Sequence, residues 1–393
     1  MRVLYVLNAT IPNGGATKAF LSLLNQCRLY GIQPFIVMPD KDGIYRELQQ
    51  QGLSVYVLPY RNCTYSYTRT LKERLLFLPR MIAKIAVNHI AAGKLATFIR
   101  ENKIDVVHTN SSVVNIGFRA AQKTDIPHIY HIREYGDLDF GMHYFPTKEV
   151  LLNQLKGKDC YTICITKDIR RYYQLADSSH SRVIYDGVFS QLAEMPVATD
   201  KDYFLYAGRI QPGKGLDLLL TAYRLYTKTA VSPLKLLVAG SYDETPYVHQ
   251  QIDFIKENQL SAQVTILGEV DNILSLMQHA RAIIIPSRNE GFGFCMPEAM
   301  QQGCLVIAHN TSGTKEQLDN ALQMTGQEIA LRYDSIEELT QLLADVAERP
   351  VSYYSTMTEC AFKVVNQLYT RETHAQKVFQ FYNDILQLHD KNL

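Results

Sequence analysis

Residues 281–298, RAIIIPSRNEGFGFCMPE, join a short β-branched run to a glycine-rich segment that ends in two carboxylates and a proline. The run is typical of a strand that is buried on both faces, as in a parallel sheet. Pro297 followed by Glu298 indicates a helix start, because proline suits the first turn and an acid there complements the helix dipole. The residues between are therefore predicted to form a loop at the carboxyl end of a strand, where open α/β sheets bind ligands.

The loop carries Glu290 eight residues before Glu298, and Gly291 and Gly293 between them would let the main chain approach a ligand closely. An ordinary strand-to-helix connection with two solvated carboxylates is the alternative interpretation.

The same strand-and-helix pattern extends over the whole chain. Strand-like apolar runs alternate with helical patterns, which predicts an α/β fold with doubly wound parallel sheets. The pattern restarts after a polar stretch at residues 188–202, so we predict two Rossmann-like domains, 1–187 and 200–365, facing a cleft. The strand-like runs are VLYVL, PFIVMP, LSVYVLP, IDVVHTN, IPHIYHI, YTICIT and SRVIYDG in the first domain, and YFLYAGRI, LKLLVAG, VTILGEV, RAIIIPS, CLVIAHN and EIALRY in the second.

Composition is that of an ordinary soluble globular protein, with 393 residues, 47% apolar and 20% charged. No run of about 18 apolar residues is present, and the start MRVLYVLNATIPNGG turns polar too early for a signal peptide, so we expect a cytoplasmic protein. The seven cysteines include no CxxC pair, and neither a disulfide framework nor a zinc site is indicated.

Charge is distributed unevenly along the chain. Residues 1–190 contain 24 basic and 15 acidic residues, or +9, whereas residues 191–393 contain 16 and 24, or −8. Residues 61–103 hold nine Lys or Arg against two acids, interleaved with Leu, Ile and Phe. Such a segment can lie on an anionic membrane surface, and two packed helices with solvated basic faces are the alternative.

A second informative stretch is YAGRIQPGKG, residues 206–215, where a strand ends and two cations follow in a glycine-containing loop. Arg209 can clamp phosphate oxygens in a forked geometry and Lys214 can add a point charge, so the pair could neutralise a diphosphate without a metal. The stretch matches neither the P-loop nor the G-x-G-x-x-G pattern, and a solvated basic turn is the alternative.

Two D-x-D strings, at Asp137–Asp139 and Asp200–Asp202, could suggest a metal-dependent transferase of a different fold. Such strings are common, and the second falls in the predicted linker, so no metal site is assigned. Nothing in the sequence indicates a hydrolase triad or a nucleic-acid partner.

Five ordered segments resemble the retaining GT-B glycosyltransferases of family 4, the glycosyl transferases group 1. They are NGGATK, GRIQPGKG, VAGSYDE, LGEV and IPSRNEGFGFCMPEAMQQGCLVIAHNTSGTKE. The resemblance is dense over residues 203–320, sparser before them and weak beyond residue 330. It implies that a last helix, about residues 366–393, crosses back to the first domain.

The resemblance implies that the opening loop holds a nucleotide sugar. Glu290 would contact hydroxyls of the donor sugar, Glu298 the ribose, and Arg209 with Lys214 the diphosphate. These cations suit a leaving group whose negative charge grows as the glycosidic bond breaks, so neither a metal nor another cofactor is expected. The remaining donor-binding residues by resemblance are Gly14, Gly15, Gly291, Phe292, Gly293, Phe294 and Val270.

The acceptor side departs from the family pattern. After PHIYHI, where many members carry a histidine, this chain has Arg133 and Glu134, with His131 two residues before Arg133. Asn110 replaces a second frequent histidine, two residues after His108. The resemblance implies an acceptor-side role for these positions, and His131 is included among the candidate catalytic residues with Glu290, Arg209 and Lys214. His131 and His108 could equally be core histidines.

The expected reaction is transfer of a sugar from a nucleotide-diphosphate donor to a hydroxyl of a glycan or lipid-linked acceptor, with retention, in surface polysaccharide or glycoconjugate synthesis. The basic first half predicts peripheral association with the inner face of a membrane. Two alternatives remain: a nucleotide-sugar epimerase of GT-B fold, for which only Glu134 offers an acid or base, and a catalytically silent glycan-binding subunit.

Overall fold

The structure is a computed structural model that describes residues 1–8, 10, 14–66, 70–157, 160–198 and 200–390. The chain divides into two compact units, one formed by Met1–Gly187 with Arg371–Leu393 and the other by Val188–Thr370. Asn13 of the NGGATK segment and residues 67–69 of the basic stretch lie outside the described residues.

The first unit is built on a seven-stranded parallel sheet in the order β3-β2-β1-β5-β6-β8-β9. A separate antiparallel ladder pairs β4 with β7. The central strands are almost completely buried because both faces of the sheet are covered, although two of them include histidines. The strands are β1 (Arg2–Val6), β2 (Gln33–Met38), β3 (Val55–Val57), β4 (Thr64–Tyr65), β5 (Val106–Thr109), β6 (His128–Ile132), β7 (His143–Tyr144), β8 (Cys160–Cys164) and β9 (Ser181–Val183).

The second unit has a six-stranded parallel sheet in the order β12-β11-β10-β13-β14-β15. The chain order reverses between β10 and β13, and the loops after these two strands leave the same edge of the sheet, which is the usual ligand position in such sheets. The strands are β10 (Tyr203–Ala207), β11 (Lys235–Ala239), β12 (Val264–Gly268), β13 (Ala282–Ile285), β14 (Val306–His309) and β15 (Leu331–Tyr333).

Helices lie between the strands in both units, as the doubly wound pattern requires. Those of the first unit are α1 (Gly15–Gln26), α2 (Tyr45–Gln50), α3 (Leu71–Glu101), α4 (Ile116–Gln122), α5 (Asp137–Phe140), α6 (Lys148–Leu155) and α7 (Lys167–Tyr172). Those of the second are α8 (Leu216–Thr229), α9 (Pro246–Glu257), α10 (Ile273–His279), α11 (Cys295–Gln301), α12 (Ser312–Thr325), α13 (Ile336–Glu348) and α14 (Ser355–Leu368). The last helix, α15 (Arg371–Asp390), belongs to the first unit, where its buried side chains join the core.

The sequence interpretation of the sheets is confirmed, since the thirteen strands of the two parallel sheets fall in the thirteen apolar runs given above. The two-residue strands β4 and β7 were not predicted, because so short a ladder leaves no periodic signal. The helix after the glycine-rich loop begins at Cys295 rather than at Pro297. Residues 61–103 hold one 31-residue helix, α3, with Pro79 inside it, instead of the two packed helices considered above.

The predicted linker at residues 188–202 is a packed part of the second unit, which extends beyond residues 200–365 at both ends. The carbonyl of Ser190 accepts a hydrogen bond from the Gln301 side chain at 2.9 Å. The ammonium of Lys201 donates to the carbonyl of Gly303 at 2.8 Å. The polar composition that predicted a linker therefore reflects backbone and side-chain groups that bond to the unit's surface.

Candidate active site

Lys214 and Glu290 meet where the loops after β10 and β13 leave the second sheet. The ammonium Nζ of Lys214 lies 2.6 Å from Glu290 Oε2, which also accepts a hydrogen bond from the Ser287 hydroxyl at 3.0 Å. Among the hydrogen bonds of the described residues, none reaches Glu290 Oε1. The side chains of Lys214 and Glu290 are 28% and 13% exposed, so both can still contact a ligand.

The electrostatics of this pair favour a fixed positive charge. Burial on its own would lower the pKa of Lys214, but the Glu290 carboxylate outweighs it, and the pKa lies above its usual value. The guanidinium of Arg209 is close enough to act in the opposite direction. Lys214 is therefore an ammonium at neutral pH and offers its charge to an anionic ligand.

The two loops are joined by Arg288, which the sequence interpretation did not single out. Its main-chain N–H donates to Gly213 O at 2.9 Å, and its guanidinium donates to Pro212 O at 2.8 Å and to both oxygens of Asp217 at 2.8 and 2.6 Å. Gly215, with φ of 68°, lies so close to Pro286 that a Cβ there would be 2.0 Å from its carbonyl oxygen. The turn that presents Lys214 is thus held directly against the loop that presents Glu290.

The glycine-rich loop is shaped by its own carboxylate and by α12. Gly293 has φ of 84°, and a Cβ there would lie 2.7 Å from Glu290 Cγ. The main-chain N–H of Gly313 donates to Glu290 O at 2.9 Å. Phe292 is buried, and its carbonyl accepts a hydrogen bond from the Gln317 side chain. These contacts hold the main chain of residues 290–293 in one conformation, and the ring of Phe292 serves the core.

The other predicted donor residues are placed as follows. Arg209 has an exposed side chain, while its carbonyl accepts a hydrogen bond from the Tyr206 hydroxyl at 3.0 Å. Glu298 is half-buried in the first turn of α11. Val270 is half-buried just after β12, an edge strand two positions from β10.

Two further predicted donor residues lie in the first unit. Gly14 caps the amino end of α1 and Gly15 is its first residue. The last two predicted donor residues lie in the second unit. They are Gly291 and Phe294 of the loop after Glu290, and both are half-buried.

The predicted acceptor-side residues of the first unit form one buried polar network. The guanidinium of Arg133 lies 3.1 Å from both oxygens of Asp186, donates to Asn110 Oδ1 at 2.6 Å and contacts His131 Nδ1 at 3.1 Å. His131 Nδ1 also lies 3.2 Å from His108 Nε2. His108 and His131 have no exposed surface, which favours the core-histidine interpretation, and an acceptor-side role stays a prediction.

His131 and Asp186 also approach His374, and the three side chains could hold a metal by composition. Because a guanidinium has only donors, His131 Nδ1 accepts from Arg133 and the proton of the neutral ring is on Nε2. Burial, together with Arg133, lowers the pKa of His131, which keeps the ring neutral. A metal would therefore have to displace a proton from Nε2 beside an existing cation, and the geometry favours a hydrogen-bonded network instead.

Glu134 is committed to the packing of two loops. Its Oε1 accepts hydrogen bonds from Ser111 Oγ at 2.8 Å and from the N–H and hydroxyl of Ser112, both at 2.7 Å. Its Oε2 accepts from the Arg133 N–H at 3.2 Å. Four protein donors thus hold this carboxylate in place.

The carboxylates of the first D-x-D string have structural partners. Asp139 accepts from the N–H groups of Tyr135 and Gly136 at 2.8 and 2.7 Å and caps α5, and burial raises its pKa to about 6. Asp137 pairs with Lys148 at 3.2 Å.

Sequence reasoning missed the residues that support the site. Arg288 is only two residues before Glu290, yet its partner Asp217 is 71 positions away, and no local pattern reveals such a pair. The others are Ser287, Asp217, Gly313 and Gln317. Gly313 lies within the last segment quoted for the resemblance, and Gln317 is the residue that follows it. The position of these two residues was the available signal.

Comparison with known families covers both units. The family model "Glycosyl transferases group 1" matches residues 190–362, and "Glycosyl transferase 4-like domain" matches residues 14–157. An uncharacterized glycosyltransferase of Methanocaldococcus jannaschii is 26% identical over 244 residues, which cover 58% of this chain and 62% of that protein. The lipopolysaccharide 1,2-N-acetylglucosaminetransferase of Salmonella typhimurium is 30% identical over 195 residues, which cover 47% of this chain and 49% of that protein.

Solved structures match the whole fold. Alr3699/HepE of Anabaena, crystallised with UDP, superposes with a TM-score of 0.77 at 17% identity and covers 98% of this chain and 100% of its own. WaaG, a glycosyltransferase involved in lipopolysaccharide biosynthesis, superposes with a TM-score of 0.66 at 14% identity and covers 95% and 98%. These similarities establish the fold as GT-B. With both family models matching in order, the chain belongs to the group 1 glycosyltransferases.

Proposed function

We propose that this protein transfers a sugar from a nucleoside-diphosphate sugar to a hydroxyl group of a glycan or lipid-linked acceptor, with retention at the anomeric carbon and without a metal ion. The observation that carries the proposal is the contact between Lys214 and Glu290, 2.6 Å apart at the carboxyl ends of adjacent parallel strands. A cation for phosphate and a carboxylate for sugar hydroxyls stand side by side there, as a nucleotide sugar requires.

The chain's own residues supply two kinds of interaction. Lys214 and Arg209 stabilise the diphosphate more as it departs, because its charge grows when the glycosidic bond breaks, and such differential stabilisation lowers the barrier. Glu290 Oε1, which has no protein donor among the described residues, can accept a sugar hydroxyl while Oε2 stays on Lys214 and Ser287. Glu298 would accept from the ribose.

Retention and independence from metal are parts of the proposal that come from the family resemblance. Two fixed cations can balance a diphosphate charge, which is the task that a divalent ion performs elsewhere. In a front-face mechanism the departing phosphate oxygen helps remove the acceptor proton, so no separate protein base is needed.

Two sets of relatives support the substrate classes. Alr3699/HepE has been crystallised with UDP-glucose, which makes UDP-sugars the first donors to try. Relatives of Salmonella typhimurium, Staphylococcus aureus and Escherichia coli are named for lipopolysaccharide, capsular polysaccharide and O-antigen synthesis. We propose surface polysaccharide or glycoconjugate synthesis on that basis.

The deciding experiment is thermal unfolding in the presence of a panel of nucleotide sugars, led by UDP-sugars. A true donor at 100 times its Kd should add roughly 2.7 kcal/mol to the free energy of unfolding. Glu290→Gln and Lys214→Ala should lose that stabilisation, whereas Lys235→Ala, at an exposed position of β11, should keep it. If no nucleotide sugar stabilises the wild-type protein, the proposal is wrong.

Stereochemistry and metal dependence are tested on the donor found in this way. The anomeric configuration of the first product, read by NMR before mutarotation, should match that of the donor. Full turnover should persist in excess EDTA. An inverted product or a strict need for Mn²⁺ or Mg²⁺ would contradict the corresponding part of the proposal.

The acceptor class and the location of the protein are inferred from the positive charge of residues 1–190. The +9 first half suits an anionic or lipid-linked acceptor at the inner face of a membrane, reached from the cytoplasm. Soluble acceptors are the rival. Transfer to a lipid-extracted acceptor fraction, compared with transfer to soluble oligosaccharides, separates the two.

The two alternative functions have their own signatures. An epimerase would isomerise the donor with no acceptor present, and Glu134 would be essential. A silent subunit would bind glycan but leave the nucleotide sugar intact. Neither result is expected.

A further inference from the structure

The amino-terminal half of α3 is fastened to the first unit along one row of side chains. Phe77 packs its ring against Tyr65 with centroids 5.0 Å apart. Met81 is buried, Lys84 Nζ donates to the carbonyl of Thr64 at 2.8 Å, and Asn88 donates to the carbonyl of Arg61 at 2.8 Å. The spacing of four, three and four residues places this row on one face of the helix.

A second row on the same helix is apolar and exposed. Its members are spaced alternately by four and three residues, so they form a continuous stripe about a third of a turn away from the fastened row. The exposed fractions run from 75% at the first to 44% at the last, far above those of core residues. The stripe consists of Leu71, Leu75, Leu78, Ile82 and Ile85. Exposed apolar stripes of this length are costly in water and mark interaction surfaces.

Basic side chains border the stripe. Lys72 and Arg74 are exposed and lie on its two sides at the start of the helix. The only acid in residues 71–90 is Glu73, which lies off the stripe and accepts a hydrogen bond from the Thr70 N–H at 3.0 Å as part of the helix cap. Apolar side chains flanked by cations match the interface of an anionic bilayer.

We propose that this stripe lies in the headgroup region of an anionic membrane, with α3 parallel to the surface and Lys72 and Arg74 on lipid phosphates. The proposal deepens the proposed function by naming the surface that would bring the enzyme to a lipid-carried acceptor, and it rests on that function only for the acceptor. Of the cations that the sequence offered for this role, Lys84 is already bonded to Thr64, and Arg80 projects from the side opposite the stripe.

Two other roles for α3, a membrane-spanning helix and a dimer interface, fit the observations less well. By length and composition α3 is the one helix of the described residues that could cross a membrane, with a mean hydropathy of 1.4 over its best window. Asn88 and one face of the carboxyl-terminal half of α3, which includes Leu95 and Ile99, are buried inside the unit, so lipid cannot surround the helix. A second copy docked on the stripe would place Lys72 and Arg74 against α3 of its partner, where the only acid of residues 71–90, Glu73, lies off the stripe.

The test is sedimentation of the full chain with phosphatidylcholine vesicles that contain rising fractions of phosphatidylglycerol. Binding should rise with the anionic fraction and fall with salt. Lys72→Gln and Arg74→Gln should each lower the partition coefficient about fivefold, because a cation near such a surface contributes on the order of this factor. Leu78→Gln and Ile82→Gln should lower it about tenfold each.

Matched controls come from the same unit. Arg80→Gln removes an equal charge on the opposite side of α3, and Leu29→Gln changes a leucine that is 78% exposed elsewhere. Both should bind as the wild type does, and all six variants should keep donor-induced thermal stabilisation, which reads the donor site independently.

Three results would overturn the proposal: no binding of the wild type at low salt, equal losses in Arg80→Gln and Arg74→Gln, or a stripe-dependent dimer in sedimentation velocity without vesicle binding. If the wild type binds vesicles but no nucleotide sugar stabilises it, the membrane proposal remains and the proposed function is rejected.

Discussion

Lys214 and Arg209 are the residues on which donor binding should depend most. Lys214→Ala or Arg209→Ala leaves diphosphate charge uncompensated in a partly enclosed site, and losing one such contact costs on the order of 3 kcal/mol, or about a hundredfold in kcat/KM. Initial rates with the identified donor measure the effect, and circular dichroism checks the fold. Near-normal turnover by folded variants would remove the phosphate role from these side chains.

A single methyl group at Gly215 should be as damaging as the loss of a charge. The new Cβ would lie 2.0 Å from Pro286 O, and φ of 68° is strained for any side chain. Gly215→Ala should therefore displace Lys214 from Glu290 and abolish donor-induced stabilisation.

Gly326→Ala is the control for Gly215→Ala, since Gly326 has φ of 70° with nothing within 4 Å. It carries the left-handed strain, about 1–2 kcal/mol, without the clash. If both variants lower the free energy of unfolding equally and both still bind donor, close packing of the two loops is irrelevant to the site.

The pair of loops after β10 and β13 acts through Arg288, which we regard as a positioning residue. Arg288→Lys keeps the charge but cannot bond at once to Pro212 O and to both oxygens of Asp217. The turn that bears Lys214 should loosen, and KM for the donor should rise about tenfold with little change in thermal midpoint.

Lys315→Gln is the matched control for Arg288→Lys. It breaks a half-exposed ion pair with Asp319, 2.6 Å long and within one turn of α12. Such surface pairs contribute about 0.5 kcal/mol or less, so neither KM nor stability should change measurably. A KM in Arg288→Lys equal to that of the wild type would show that the loops hold their positions without this clamp.

At the scale of the whole molecule, the first unit should be sensitive to acid. Burial lowers the pKa of His128 to about 3 and of His374 to about 4, and it holds those of His108 and His131 well below their usual value. Such rings stay neutral when folded but take up protons when unfolded. Their contribution to stability is full above pH 6.5 and is lost as pH falls toward the folded values.

Hydrogen exchange in β1, β5 and β6, followed against urea between neutral and acidic pH, measures this loss. His374→Gln should lower the slope below pH 6.5 by about 1.4 kcal/mol per pH unit, the equivalent of one proton. His89→Gln, at an exposed position, controls for loss of an imidazole as such. An unchanged slope in His374→Gln would mean that this ring is already charged in the folded protein.

The amino-acid sequence by itself determined the two parallel sheets, because a strand covered on both faces is a continuous apolar run that can be recognised without its neighbours. It also determined that Lys214 and Glu290 stand at strand ends, since glycine and proline mark those ends locally. Only the tertiary structure decided that the two side chains touch, because 76 residues separate them.

The same holds for what was missed or misjudged. The polar composition of residues 188–202 fits a solvated linker and a segment hydrogen-bonded to a domain surface equally well. The tertiary structure shows that the segment is bonded to the second unit. The sequence predicted a basic amphipathic segment in residues 61–103, but which cations are free depends on the face of α3 that Phe77, Met81 and Asn88 bury. A helix carries its periodicity in its sequence, whereas the direction in which each face points is set by the contacts that the folded chain makes.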